Sequence, residues 1–199
     1  MSTESPAPRP PGRRFPRSAP GAVGYDVAEV DAFLSEVEAA LGGARPAGTG
    51  SRVVTSAQVR AAVFSGARGG YRAEAVDEAL EAAEDALAAA EHEQVLRTGG
   101  PAAWRRHVEG LEELVRGRLA RPRTQRFRHP SRTRARGYSV AHVDVLCERL
   151  TERLDDGAAL DAAELRHAVF PSAQGELGYE EHQVDAFLDR AVELLLALR

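Results

Sequence analysis

The 199-residue chain has one cysteine, one methionine and one tryptophan, and it has no lysine, asparagine or isoleucine at all. A lone cysteine, Cys147, excludes an internal disulfide and any metal site built on a cysteine pair. With no lysine, all 26 basic residues are arginine, a bias that points to a GC-rich genome rather than to a function. No apolar run approaches the roughly 20 residues that cross a bilayer, and the proline- and arginine-rich N-terminus lacks a hydrophobic stretch. We therefore expect neither a membrane anchor nor a signal peptide, and place the chain in the cytoplasm. The glycine-rich stretch Ser65–Gly70 is not followed by Lys-Ser or Lys-Thr, which argues against a Walker-type phosphate loop.

Aromatic residues are also scarce, with four tyrosines and six phenylalanines, and all ten belong to one recurring pattern. It appears as Phe15, Tyr25, Val30 and Asp31; as Phe64, Tyr71, Val76 and Asp77; as Phe127, Tyr138, Val143 and Asp144; and as Phe170, Tyr179, Val184 and Asp185. A glycine precedes each tyrosine, the valine follows five residues later and the aspartate six. Phe33 and Phe187 complete the set eight residues after Tyr25 and Tyr179. Repetition of this kind predicts an array of one small helical unit.

Each copy leads into an apolar stripe of helical period: Val30, Phe33, Leu34, Val37 and Leu41 in the first, and Val143, Leu146, Cys147, Leu150 and Leu154 in the third. Cys147 occupies the position of Leu34, Leu80 and Leu188, and reads as a small buried apolar residue. Asp26 is the expected N-cap of the first helix, with Glu29 closing a capping box; Ser139 is the expected cap of the third. Thr55 or Ser56, and Asp161, cap two short helices that end in Ala-Val-Phe. Gly99-Gly100-Pro101 separates an acidic helix, about 73–97, from an amphipathic one, about 102–119. The predicted organisation is a disordered tail over 1–14, a first repeat half over 15–98, a bracing helix over 99–120 and a second half over 121–199. The fold class is all-α, with tandem helical repeats in two pseudo-symmetric halves of short hairpin-like units. A motif of about 30 residues is too small to bury its own stripe, so two copies within a half should face each other.

Phe, a loop, Gly-Tyr-Asp and then Glu-Val-Asp-Ala-Phe-Leu resembles the N-terminal module of DivIVA, the bacterial cell-pole and septum organiser. The resemblance covers roughly 15–41, 55–90 and 126–199, and four copies in a short chain are similar to the DivIVA-domain repeat proteins. It implies a non-enzymatic adaptor in cell division or polar growth, at the pole or septum, that binds protein partners or the inner membrane surface. In the family an aromatic beside an arginine precedes Gly-Tyr and enters lipid. Here those positions hold Ala22-Val23, Arg68-Gly69, Ala135-Arg136 and Glu176-Leu177, and no long heptad repeat follows any copy.

Charge is unevenly placed. Arg121, Arg123, Arg126, Arg128, Arg132, Arg134 and Arg136 fall in one stretch without an acid, whereas Glu74–Glu93 carries eight acids and no base. The basic stretch is either solvated or paired with the chain's own acidic helix, or it is the contact for an anionic membrane surface or protein partner. A nucleic-acid role for Arg121–Arg136 is the alternative, against which stands the lack of aromatics interleaved with the arginines other than Phe127. The motif tyrosines and aspartates read as structure rather than catalysis, and the six histidines as solvated surface groups, with no H-x3-H pair among them. No catalytic residue, cofactor or metal is assigned, and self-association is left open.

Overall fold

The computed structural model describes residues 14–42, 53–132 and 134–199. The tail expected to be disordered lies, apart from Arg14, outside the described residues, as does most of the loop after the first helix. The chain divides into two compact units, Met1–Leu87 and Ala88–Arg199.

In the first unit, strand β1 (Val23–Tyr25) leads into helix α1 (Val27–Leu41), and the short helix α2 (Ser56–Arg60) leads into strand β2 (Gly66–Arg68) and the start of helix α3 (Ala73–Leu119). The two strands are antiparallel, with Tyr25 opposite Gly66 and Val23 opposite Arg68. Beyond this ladder Tyr25 and Tyr71 exchange both backbone hydrogen bonds at 2.9 Å. A β-carbon on Gly24 would stand 2.1 Å from the carbonyl oxygen of Tyr71, so the glycine before tyrosine is required by backbone approach. Val30, Leu34, Tyr71 and Val76 form one apolar cluster, and Val37, Val54, Val59 and Leu87 a second.

The second unit holds strand β3 (Arg136–Ser139), helix α4 (Val140–Asp156), helix α5 (Ala162–Arg166), strand β4 (Ser172–Gln174), a 3-10 turn (Gly175–Leu177), strand β5 (Gly178–Tyr179) and helix α6 (Glu181–Ala197). The strand order is β4-β3-β5, antiparallel throughout, with Tyr138 opposite Tyr179. One contiguous core joins Leu111, Val115 and Leu119 of α3 to Val143 and Leu150 of α4, Leu165 of α5 and Leu194 and Leu195 of α6. The bracing helix thus contributes its apolar face to this unit. Helix α3 is broken where the sequence places Gly-Gly-Pro: Gly100 has φ 70° and ψ 179°, followed by Pro101, and Pro cannot donate the bond that a continuing helix needs.

The structure is mostly helical, but the all-α expectation is corrected by these two small antiparallel sheets. Their strands run two to four residues, too short to show the two-residue alternation by which a strand is read from sequence. Asp26 and Ser139 stand at the expected N-cap positions, but the capping box is corrected. Asp26 accepts from the N–H groups of Ala28 and Glu29, but its own N–H goes to the Ser65 carbonyl and Glu29 accepts the Ser65 N–H at 2.7 Å. The box is therefore opened in favour of a contact with the second copy. Ser139 caps α4 without a side-chain bond to the helix; its hydroxyl is paired with Nδ1 of His142 at 2.9 Å. Thr55 and Asp161 cap as expected, the former in a full capping box with Gln58.

Candidate functional site

Each motif aromatic finds its partner in the other copy of its unit. Phe15 packs on Tyr71 and Phe64 on Tyr25, at ring-centroid distances of 5.3 and 5.5 Å. Phe127 packs on Tyr179 and Phe170 on Tyr138, both at 5.2 Å. The residue after each tyrosine also donates to the carbonyl of the residue after the other copy's phenylalanine: Asp26 to Ser65, Arg72 to Pro16, Ser139 to Pro171 and Glu180 to Arg128, at 2.8–2.9 Å.

The aspartates are crossed in the same way. The Tyr71 hydroxyl donates to Asp31 at 3.1 Å and the Tyr179 hydroxyl to Asp144 at 3.2 Å, while Tyr25 bonds Asp77 and Tyr138 bonds Asp185. The motif valines Val30, Val76, Val143 and Val184 are buried beside them. Burial raises the hydroxyl pKa of both Tyr25 and Tyr138, and the neighbouring carboxylates raise it further. Burial pushes Tyr179 up to about 12, with the Asp144 charge adding to it and the Arg126 N–H opposing. Asp185 is raised by burial against the opposing bond from Tyr138. These are phenols and carboxylates committed to one another. Among the described residues no group of three His, Cys, Asp or Glu is placed to hold a metal ion.

The seven arginines of the basic stretch separate into two kinds. Arg126 is buried: its guanidinium lies 3.1 Å from Asp144 and also donates to the Asp144 carbonyl. It is a core ion pair, so its place among the anion contacts is corrected. Arg123 pairs with Glu148 at 3.0 Å, and Arg121 reaches the Arg126 carbonyl at 3.5 Å. Arg128, Arg132, Arg134 and Arg136 are exposed and their guanidinium groups have no ion pair among the described residues. Beside them the turn Gly175–Leu177 meets the start of β3, with Gly175 N–H donating to the Ala135 carbonyl. It carries Leu177 at 74% exposure. An open pocket of about 390 Å³ on this side is lined by Pro130, Ser131, Ala135, Arg136, Glu180, Glu181 and His182.

The sequence reading missed three features. Arg14 was assigned to the tail, yet its guanidinium reaches Glu38 at 3.2 Å and its Nε lies 3.8 Å from Asp31. Its backbone N–H faces the Tyr71 hydroxyl at 3.3 Å, as that of Arg126 faces Tyr179. The signal was present, since Arg-Phe occurs at both 14–15 and 126–127. A buried Glu84 paired with Arg60 at 2.5 Å was read only as part of an acidic helix face. His129 is half-buried rather than solvated, with both ring nitrogens against backbone carbonyls. No helix among the described residues is long and apolar enough to cross a membrane. No family model, curated protein or solved structure matches this chain.

Proposed function

We propose that the chain is a non-enzymatic DivIVA-like repeat adaptor in which each unit is a pseudo-dimer of two motif copies, the two units standing in tandem. The crossed Phe-Tyr, Tyr-Asp and backbone contacts within both units support that reading. It acts in the cytoplasm, at the inner face of the membrane near pole or septum, as a docking piece of the division or polar-growth machinery.

The observation that carries the binding role is the exposed strip Arg128, Arg132, Arg134 and Arg136, free of internal ion pairs among the described residues and adjoining exposed Leu177. Arginines held at a surface without a carboxylate partner favour an anionic one, and each is worth about 1 kcal/mol at an anionic surface. The partner is an acidic protein face or an anionic lipid surface, with nucleic acid as the alternative.

Co-sedimentation with anionic and with neutral vesicles at two salt concentrations, beside a DNA shift assay, tests this. Lipid binding that weakens with salt, and that falls by roughly two orders of magnitude when Arg132, Arg134 and Arg136 become Ala, supports the membrane form. Binding to DNA alone selects the alternative. Binding to neither leaves an acidic protein face, and vesicle binding unchanged by the triple substitution overturns the role given to the strip.

A further inference from the structure

His129 lies between two backbone carbonyls. Its Nδ1 is 2.8 Å from the Gly178 oxygen and its Nε2 is 2.9 Å from the Thr124 oxygen. A carbonyl oxygen can only accept, and a neutral imidazole carries a single N–H. In the neutral ring one nitrogen lone pair therefore faces a carbonyl lone pair at hydrogen-bond distance. Only the imidazolium, with an N–H on each nitrogen, satisfies both.

We infer that His129 is a proton-operated clasp, closed as the imidazolium between Thr124 and Gly178 and released at one end when the ring loses its proton. Its two ends are placed to transmit the change. Gly178 precedes Tyr179, on whose ring the imidazole stacks at 5.3 Å and 29°. Thr124 is the one non-glycine residue with positive φ among the described residues, at 68°, a conformation that a β-branched side chain resists. Two contacts hold Thr124 there: its N–H donates to Asp144 Oδ2 at 2.7 Å and its carbonyl accepts from His129. Losing the second leaves a strained residue with one tether.

The charged and titratable groups around the ring come from three places. On its own segment stand Arg126 and Arg128. From α4 comes Asp144, engaged by Arg126, Tyr179 and Thr124. At the start of α6 are Glu180, Glu181 and His182, with His182 3.7 Å from the Glu180 carboxylate. No carboxylate contacts the imidazole itself among the described residues, so the two carbonyls decide its preferred form. The hold on the arginine-bearing segment therefore follows the protonation of the ring. This holds whether or not the segment binds an anion.

Side-chain nitrogen NMR of the full chain across about pH 5 to 8 tests the clasp directly. Expected at low pH is a His129 ring protonated on both nitrogens, with the Gln125 and Tyr179 amides shifting in step as it titrates. Hydrogen exchange of residues 124–129, corrected for the intrinsic rate, should lose about tenfold protection from pH 5 to 8. His129→Gln, which cannot donate at both ends, should abolish that dependence. A ring neutral across the whole range, protection that does not change with pH, or the same dependence in His129→Gln would each overturn the inference. The NMR measurement on the unaltered chain decides even if the variant folds poorly.

Discussion

The Tyr179 hydroxyl donates to Asp144 at 3.2 Å, and the same buried carboxylate takes the Arg126 guanidinium at 3.1 Å and the Thr124 N–H at 2.7 Å. The corresponding carboxylate in the first unit, Asp31, receives Tyr71 and lies 3.8 Å from Arg14, but its side chain is 36% exposed against 2% for Asp144. The tyrosine-to-aspartate bond is thus made in two different dielectric settings.

Asp144→Ala should be far more costly than Asp31→Ala. Removing the partner of a buried charge costs about 3–5 kcal/mol because the remaining ion is left uncompensated, whereas a half-exposed pair is worth about 1 kcal/mol or less. Urea unfolding of the two variants gives the comparison, and equal losses would contradict the burial of Arg126.

Tyr179→Phe keeps the ring against Phe127 and removes only the hydroxyl. With Asp144 still bonded to Arg126 and Thr124, the expected loss is about 1–2 kcal/mol. Tyr71→Phe should cost less, since Asp31 can turn to water. Denaturation midpoints distinguish the two.

Gly137→Ala places a methyl 2.0 Å from the Tyr179 carbonyl, and backbone cannot yield as a side chain can. The β3–β5 pairing should be lost, with amide exchange at Tyr138 and Tyr179 rising sharply. Gly110→Ala on α3, where nothing lies within 4 Å, is the control. It should stabilise by about 0.5–1 kcal/mol, the difference in helix preference between the two residues.

Alkali should destabilise the second unit. Tyr179 is pushed from 10.0 up to about 12 and Cys147 from 9.0 up to about 12, both chiefly by burial. In each case the folded chain keeps its proton where the unfolded chain has lost it. The stability is complete below the unfolded values and falls as pH rises from about 9 through 12. Unfolding followed by circular dichroism along that range checks the sign. In the native chain Cys147 should react with a thiol reagent only as fast as the unit opens.

The valine, tyrosine and aspartate of each copy were legible because their spacing repeats, and most of the buried stripes followed from the helical period, although Leu41 at the end of the first is exposed. What each aspartate touches was not legible: Asp144 and Tyr179 are 35 residues apart, and both belong to copies that look alike in sequence. The strands escaped because Gly-Tyr, set by one close backbone approach, carries no alternation. Arg126 was grouped with its neighbours by charge, although its position before Phe127 puts it in the core while Arg132 and Arg134, further along, stay at the surface. His129 gave no sign at all, since what defines it is a pair of main-chain oxygens, which every residue possesses.

The crossing of Phe, Tyr and Asp between copies carried by one chain makes their pairing a first-order event, with the second copy supplied at a concentration set by the connecting chain rather than by the cell. Dilution should leave the paired copies intact. It also lets each copy change alone, as a pairing of identical chains could not: thirteen residues after its tyrosine one unit buries Glu84 on Arg60, while the other buries Val192.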